Sequence, residues 1–224
     1  MGNIRISGDA GQFVARTSGA RRRSLGVSAA LLVLLAIGGC KSIQPLDTKA
    51  LDAAGMTYDT ISQLKAQKIT APEVAQMATA RQSGFSDADC IAVMSAYRGR
   101  AQAFDGGDEV AGLMRAQVSE QTIVELAKMN QLGLLAGELE AMRLAGLSDA
   151  ILLEVARHRA ENQPVLTGAS LANLKNAGVR ELTLLELVRR GVPDSQAAAI
   201  ISYRRHGASD AQIISHYAAL PAGG

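Results

Sequence analysis

Aromatic side chains are scarce in this sequence of 224 residues, which has no Trp, four Tyr and three Phe. Cysteine is scarce too, and two Cys cannot supply the disulfide framework of a small secreted scaffold. No uninterrupted apolar run reaches the roughly 18 residues that a membrane-spanning helix needs, which excludes a protein with several spans. The charge is nearly balanced and 48% of the residues are hydrophobic, which excludes a disordered chain.

The small net charge of +2 conceals two segments of opposite character. Residues 1–39 contain five Arg and one Asp, a net charge of +4, whereas residues 40–224 contain 18 basic and 20 acidic residues, a net charge of −2. The basic pI of about 8.6 therefore comes from the N-terminal segment. The rest of the chain offers no basic footprint, so we expect no nucleic-acid partner.

The N-terminal segment has the composition of a secretory signal. Three consecutive arginines at 21–23 precede an apolar run from Leu25 to Gly39, and small residues end this run. A positive region, a short apolar region and terminal small residues are the parts of a cleaved signal peptide. Fifteen helical residues extend about 22 Å, less than the ~30 Å hydrocarbon core, so cleavage is favoured over a permanent span.

The apolar run leads into Ile37-Gly38-Gly39-Cys40, which resembles the lipobox of bacterial lipoprotein precursors. The resemblance covers only the N-terminal part of the chain, and Ile37 stands where Leu is commonest in that family. It implies a lipid on Cys40 and cleavage between Gly39 and Cys40, with residues 1–39 as the signal peptide. Two or three acyl chains anchor a protein stably. By the same resemblance, Lys41 implies the outer membrane facing the periplasm rather than the inner membrane.

Helix signals dominate the sequence after a lipidated cysteine and tether at 40–56. Thr70-Ala71-Pro72-Glu73 is a capping box with proline in the first turn. Alternating runs of β-branched residues are missing from the sequence. We therefore predict an all-α fold, with degenerate repeats of short helix pairs packed into one helical domain over 57–218 and a tail over 219–224. Further N-caps are predicted at Ser86, Ser119, Ser148 and Ser209, and glycines that end the preceding helices at Gly84, Gly146, Gly191 and Gly207.

Two patterns repeat within this domain. The first is an apolar i, i+3 pair followed by apolar residues five and ten positions after its second member. The second is a Gly–apolar–cap–Asp turn and a helix that ends in an aromatic residue or His followed by Arg. They predict three unequal units, about 57–102, 108–162 and 168–218, with an extra helix near 134–144. Copies of the first begin at Ile61, Val110 and Leu171, and copies of the second at Gly84, Gly146 and Gly191, with a truncated copy at Gly207.

The second pattern ends in Arg98, Arg159 and Arg204. At predicted helix C-termini, these arginines would complement the helix dipole. If they formed one row, they would bind a carboxylate or phosphate group of a ligand or partner. Both interpretations stay open at this point.

Groups that could carry catalysis or bind a metal are few. His158, His206 and His216 have no closely spaced ligand partners, so we expect no metal site. His158 takes the place of an aromatic residue in the second pattern, which favours a packing role. Cys90 lies in an apolar helical pattern and is expected to be a small buried hydrophobe. The sequence predicts no catalytic residue, no cofactor and no enzyme activity.

The resemblance and the helical pattern together favour a lipid-anchored cell-envelope lipoprotein. It would act as a non-catalytic helical protein-interaction or scaffold module, bound to the membrane through its lipid and to an envelope protein. One alternative is an envelope enzyme or peptidoglycan-binding factor with a site assembled from distant residues. Another is a cytoplasmic helix-turn-helix nucleic-acid binder, if Cys40 is not exported. The oligomeric state stays open.

Overall fold

The computed structural model describes residues 46–218, which are all-α as predicted and contain no strand. The signal segment, Cys40 and the tail at 219–224 lie outside the described residues, so the statements about them stay predictions. None of the described helices is both long and apolar enough to cross a membrane. The helices are α1 (Lys49–Ala53), α2 (Tyr58–Ala66), α3 (Ala71–Gln82), α4 (Asp87–Gly99), α5 (Gly107–Arg115), α6 (Glu120–Lys128), α7 (Leu132–Leu144), α8 (Asp149–Ala160), α9 (Gly168–Asn176), α10 (Glu181–Arg189), α11 (Ala197–Arg205) and α12 (Asp210–Ala218), with a 3₁₀ turn (Asp194–Gln196) before α11.

Helices that are two apart in the chain pack side by side. The odd-numbered helices form one row from α1 to α11, and the even-numbered helices form a second row from α2 to α12. Each odd helix also packs against the even helix that follows it. The domain is therefore a two-layered stack of six helix hairpins. Such short helices are not stable alone, and stacking buries the apolar side of each hairpin.

The stack is more regular than the sequence pattern predicts. Even-numbered helices begin at residues 58, 87, 120, 149, 181 and 210, so every second start is 61 or 62 residues apart. This spacing divides the described chain into three repeats of two hairpins: α1–α4, α5–α8 and α9–α12. The first repeat includes α1, which precedes residue 57. The helix expected as an extra element is α7, and it has the counterparts α3 and α11.

The prediction of unequal units depends on matching Gly191 with Gly146, which are 45 residues apart. In the structure Gly146 ends α7, and its counterpart is Gly207, 61 residues further on at the end of α11. Gly191 instead ends α10 and corresponds to Asn130 at the end of α6. Both layers use the same kind of turn, so a motif that begins at the closing glycine does not reveal the layer to which it belongs.

The eleven turns between the described helices all close in the same way. A residue with positive φ follows each helix, and the next N–H donates to the carbonyl five residues back, as in a Schellman motif. In eight of the eleven turns, the residue that donates this hydrogen bond is apolar and buried in the core, as at Met56 and Ile69. Glycine fills six of the positive-φ positions. The other five, which adopt this conformation at a cost of roughly 1–2 kcal/mol each, are Lys68, Ala101, Gln117, Asn130 and Asn162.

One continuous core of mainly aliphatic side chains runs through the stack. Two of its largest side chains are Phe85 and Phe104, and Tyr97 packs edge-on against Phe104 with ring centroids 5.2 Å apart. Cys90 is fully buried, as expected. Burial raises the pKa of the Cys90 thiol to about 12, and the nearby Asp87 acts in the same direction. Cys90 is therefore a structural residue and not a reactive thiol.

Candidate functional site

Arg81, Arg143 and Arg204 occupy equivalent positions in the last turns of α3, α7 and α11. Each guanidinium donates to the carbonyl four residues further along its own turn. It also donates to the carbonyl of the positive-φ residue that ends the preceding odd helix. The two distances are 3.2 and 3.4 Å for Arg81, 3.2 and 3.1 Å for Arg143, and 2.9 and 2.7 Å for Arg204. We call this arrangement the arginine clasp.

An aspartate at the first position of the next even helix completes each arginine clasp. A carboxylate oxygen lies 2.8 Å from a guanidinium nitrogen at Asp87, and 3.8 Å at both Asp149 and Asp210. Burial by itself would raise the pKa of these aspartates, but hydrogen bonds and the arginine charges outweigh it and hold the pKa below the usual value. The clasp therefore joins the turns of two successive hairpins by charge-assisted hydrogen bonds.

Acidic residues also link each even helix to the preceding even helix. The first-turn acid of each even helix from α4 to α12 accepts a hydrogen bond from the N-cap backbone N–H of the preceding even helix. The donors are Thr57, Ser86, Ser119, Ser148 and Arg180, at 2.9, 2.8, 2.9, 3.0 and 3.5 Å. We call the five acceptors the acid ladder; they are Asp87, Glu120, Asp149, Glu181 and Asp210.

Glu73 is the most deeply buried acid of the described chain, with 1% of its surface exposed. It accepts hydrogen bonds from Arg98 Nη2 at 2.6 Å, from the Phe104 N–H at 2.8 Å, and from the N–H and hydroxyl of Thr70 at 2.8 and 2.7 Å. Burial alone would raise the pKa of Glu73, but these hydrogen bonds outweigh it and lower the pKa to about 2. Glu73 is therefore a fixed anion that ties α3 to α4 and to the linker before α5.

The three arginines of the predicted row lie in different layers. Arg98 and Arg159 end the even helices α4 and α8, whereas Arg204 ends the odd helix α11. Arg98 is bound to Glu73 and Arg204 belongs to an arginine clasp. The Arg159 side chain is 37% exposed, against 28% for the other two, and lies 3.9 Å from Glu138. Two of the three guanidinium groups thus donate hydrogen bonds within the chain, and the third forms an ion pair with Glu138.

The arginine clasp has a sequence signal that begins upstream of the glycine. Residues 81–87, 143–149 and 204–210 read RQSGFSD, RLAGLSD and RRHGASD, a shared R-x-x-G-apolar-S-D motif. The turn at Gly191 has Val188 in place of the arginine. A pattern that starts at the glycine omits this arginine and therefore groups Gly191 with the clasp turns.

Exposed side chains differ between repeats whose framework is the same. The large apolar residues Tyr58, Leu134, Leu144 and Leu182 are 72–82% exposed. Tyr58 corresponds to Glu120 in the second repeat, at a separation of 62 residues. A groove of about 440 Å³ lies beside Leu134, and its other lining residues are Tyr97, Gln102, Ala103, Asp105, Asn130 and Gly133.

The three histidines occupy two kinds of environment. His158 is buried beside Gly191, where it corresponds to Tyr97 of the first repeat but not to Tyr203, which belongs to the other layer. His206 and His216 line a groove of about 310 Å³ at the last hairpin. Within residues 46–218, no three His, Cys, Asp or Glu side chains are grouped so that they could hold a metal ion.

Comparison with protein-family models, with curated proteins and with solved structures found no match. The candidate site is therefore defined by the geometry of the chain. The arginine clasps and the acid ladder join parts of the chain to one another. The surface that varies from repeat to repeat consists of the exposed residues of α2, α7, α10 and the last hairpin. This variable surface is the candidate functional site.

Proposed function

We propose that this protein is a lipid-anchored cell-envelope lipoprotein whose helical stack is a non-catalytic protein-interaction or scaffold module. Two independent features support the proposal. The segment from the arginines at 21–23 to Cys40 has the order of a lipoprotein signal, and by resemblance Lys41 favours the outer membrane. The stack of hairpins after the tether has the layered organisation in which repeat proteins present extended binding surfaces.

The observation that supports the scaffold role is that the three repeats share the same internal contacts but differ in their exposed side chains. The arginine clasp occurs at 61–62-residue spacing in all three repeats, while the exposed position of Leu144 is Gln82 in the first repeat and Arg205 in the third. In repeat proteins, the contacts between neighbouring repeats provide the stability, and the exposed side chains are free to provide the binding surface. A surface held by fixed backbone contacts loses little conformational entropy when a partner binds.

The anchor is tested by metabolic labelling with a fatty acid in a bacterium that processes lipoproteins. We expect the label and the membrane association to be present in the wild type and lost in Cys40→Ser. Cys90→Ser is the matched control, because it removes the other cysteine from a buried position and leaves the proposed lipobox intact. Label that persists in Cys40→Ser, or a wild type that never takes up label, would refute the anchor.

The interaction role is tested with a photo-crosslinking residue placed at Leu134 or Leu144 in intact cells. We expect both positions to crosslink to the same envelope protein, identified by mass spectrometry and verified by tagging that protein in turn. Gln82, the counterpart of Leu144, is the control for random collision. Crosslinks as frequent at Gln82 as at Leu144, or none at either leucine, would refute this surface as a binding site.

A further inference from the structure

The two ends of the helical stack differ in chemistry. On the first hairpin, the exposed Ser62 and Lys65 stand where the second repeat has the buried Val124 and Ala127, 62 residues further on. The second repeat buries these positions because α4 packs over α6. Polar side chains on α2 therefore make the N-terminal end a surface that is compatible with water.

On the last hairpin, two exposed positions whose counterparts are buried carry aromatic rings. Tyr203 of α11 is 39% exposed, and it stands where the first and second repeats have Ala80 and Met142, each 1% exposed. Met142 is covered by the first residue of α9, where a Cβ added to Gly168 would lie 2.6 Å from Met142 Cγ. In the second repeat, the position equivalent to Tyr203 is thus covered by the next hairpin.

His216 of α12 shows the same relation in the even layer. It is exposed, whereas its counterparts Val93 and Val155 in α4 and α8 are fully buried. The His216 ring lies between Tyr203 and Tyr217, with centroids 5.6 and 5.0 Å away. An ordered group of aromatic rings therefore lies on a face whose equivalents are interior surfaces.

This surface carries hydrogen-bonding groups, and no Asp, Glu, Lys or Arg lines its groove. Tyrosine and serine hydroxyls donate and accept hydrogen bonds. Two copies of such a surface can meet without burying an unpaired carboxylate, ammonium or guanidinium group. We call it the C-terminal face; its groove is lined by Ala199, Ser202, Tyr203, His206, His216 and Tyr217.

We infer that the C-terminal face binds the same face of a second copy of this chain, as a two-fold symmetric dimer. Head-to-tail stacking of copies would instead bury the charge of Lys65 at the N-terminal end, which costs free energy unless the charge is paired. A closed two-fold contact is also the commonest arrangement of soluble homo-oligomers. The inference does not depend on the lipid at Cys40, and its failure would leave the anchor untouched.

The face is small, which sets the range of the experiment. A helix of nine residues, such as α11 or α12, is about 14 Å long, so the contact is below the standard interface size. We expect a dissociation constant on the order of 100 µM in solution. Confinement to a membrane would favour the dimer, because a tether raises the local concentration of the second copy.

Self-association is measured by analytical ultracentrifugation of the full chain carrying Cys40→Ser, from 5 to 500 µM (on the order of the expected constant). We expect a monomer–dimer equilibrium that Tyr203→Lys weakens at least tenfold and Gln121→Lys leaves unchanged. Gln121 is the control because it is exposed on α6, outside both the C-terminal face and the variable surface. A monomer over the whole range, or equal effects of the two substitutions, would overturn the inference.

The geometry of the contact is checked by a bifunctional maleimide with the same chain carrying Ser202→Cys or Ser62→Cys. The two-fold contact brings residue 202 of one copy close to residue 202 of the other, so we expect dimeric product from Ser202→Cys only. Equal crosslinking of the two variants would overturn the inference. So would dimerisation that begins only when residues 219–224 are deleted, because the tail would then be the natural occupant of the face.

Discussion

Replacing Glu73 by glutamine tests whether this buried anion holds the first repeat together. Glutamine keeps the size of the side chain, but its NH₂ group cannot accept the hydrogen bonds that a carboxylate oxygen of Glu73 accepts. The Phe104 N–H or the Thr70 N–H then loses its acceptor, and the Arg98 guanidinium loses its counter-charge. Breaking a buried charged pair from one side typically costs ~3–5 kcal/mol. We expect Glu73→Gln to lower the free energy of unfolding by about that amount at pH 7.

The pH dependence separates the charge from the packing. The pKa of Glu73 is about 2 in the folded chain and 4.5 as its ordinary value, a difference that corresponds to ~3 kcal/mol of stability at neutral pH. Because the folded pKa is the lower one, this contribution is complete above pH 4.5 and is lost as the pH falls towards 2. The difference in the free energy of unfolding between the wild type and Glu73→Gln should therefore decrease by ~3 kcal/mol as the pH falls from 4.5 to 2.

The measurement is urea denaturation followed by far-ultraviolet circular dichroism at several pH values between 7 and 2.5. The aspartates of the acid ladder titrate in both proteins, so the difference between them isolates Glu73. Glu161→Gln is the control, because Glu161 is exposed and should shift stability by less than ~0.5 kcal/mol. A loss below ~1 kcal/mol for Glu73→Gln, or a gap that does not change with pH, would refute the reasoning.

Two further substitutions test the contacts between hairpins by the same denaturation assay. Arg143→Met removes an arginine clasp and should cost ~1–3 kcal/mol, because two carbonyls lose their donor and Asp149 loses a neighbouring positive charge. The exposed Arg205→Met should cost less than ~0.5 kcal/mol, and equal effects would show that the clasp contributes nothing. Gly107→Ala places a Cβ 2.2 Å from the Gln76 carbonyl oxygen and should destabilise by more than ~2 kcal/mol. Gly137→Ala in α7 has nothing within 4 Å and should stabilise by up to ~1 kcal/mol; a stable Gly107→Ala would refute the close packing of α5 on α3.

The helical character of this domain could be predicted from local signals. The capping box at Thr70, the serine caps and the closing glycines satisfy backbone groups that are only a few residues away. Their effect therefore does not depend on distant parts of the chain. Five of the helix ends use a non-glycine residue at positive φ, and two of these are Asn130 and Asn162. The other three, such as Ala101, are neither glycine nor asparagine, so the local sequence gives no signal for the left-handed turn.

The placement of the predicted arginines could not be obtained in this way. Arg98, Arg159 and Arg204 follow similar local patterns, but the first two lie in the even layer and the third in the odd layer. Turns in both layers have the same backbone geometry, so the residues from the closing glycine onwards do not report which row a turn joins. The arginine three residues upstream of the glycine and the 61–62-residue period, set by the stacking of helix n on helix n+2, distinguish them.

The local sequence by itself determined the secondary structure, the caps and the expectation of a lipid on Cys40, because each depends on neighbouring residues. Tertiary structure alone decided which residues share a repeat and what each charge contacts. Glu73 lies 25 residues from Arg98 and 31 from Phe104, and it becomes a fixed anion only when stacking removes it from water and adds these two donors to the two that Thr70 provides locally. The same packing decides that Met142 is interior while its counterpart Tyr203 remains at the surface.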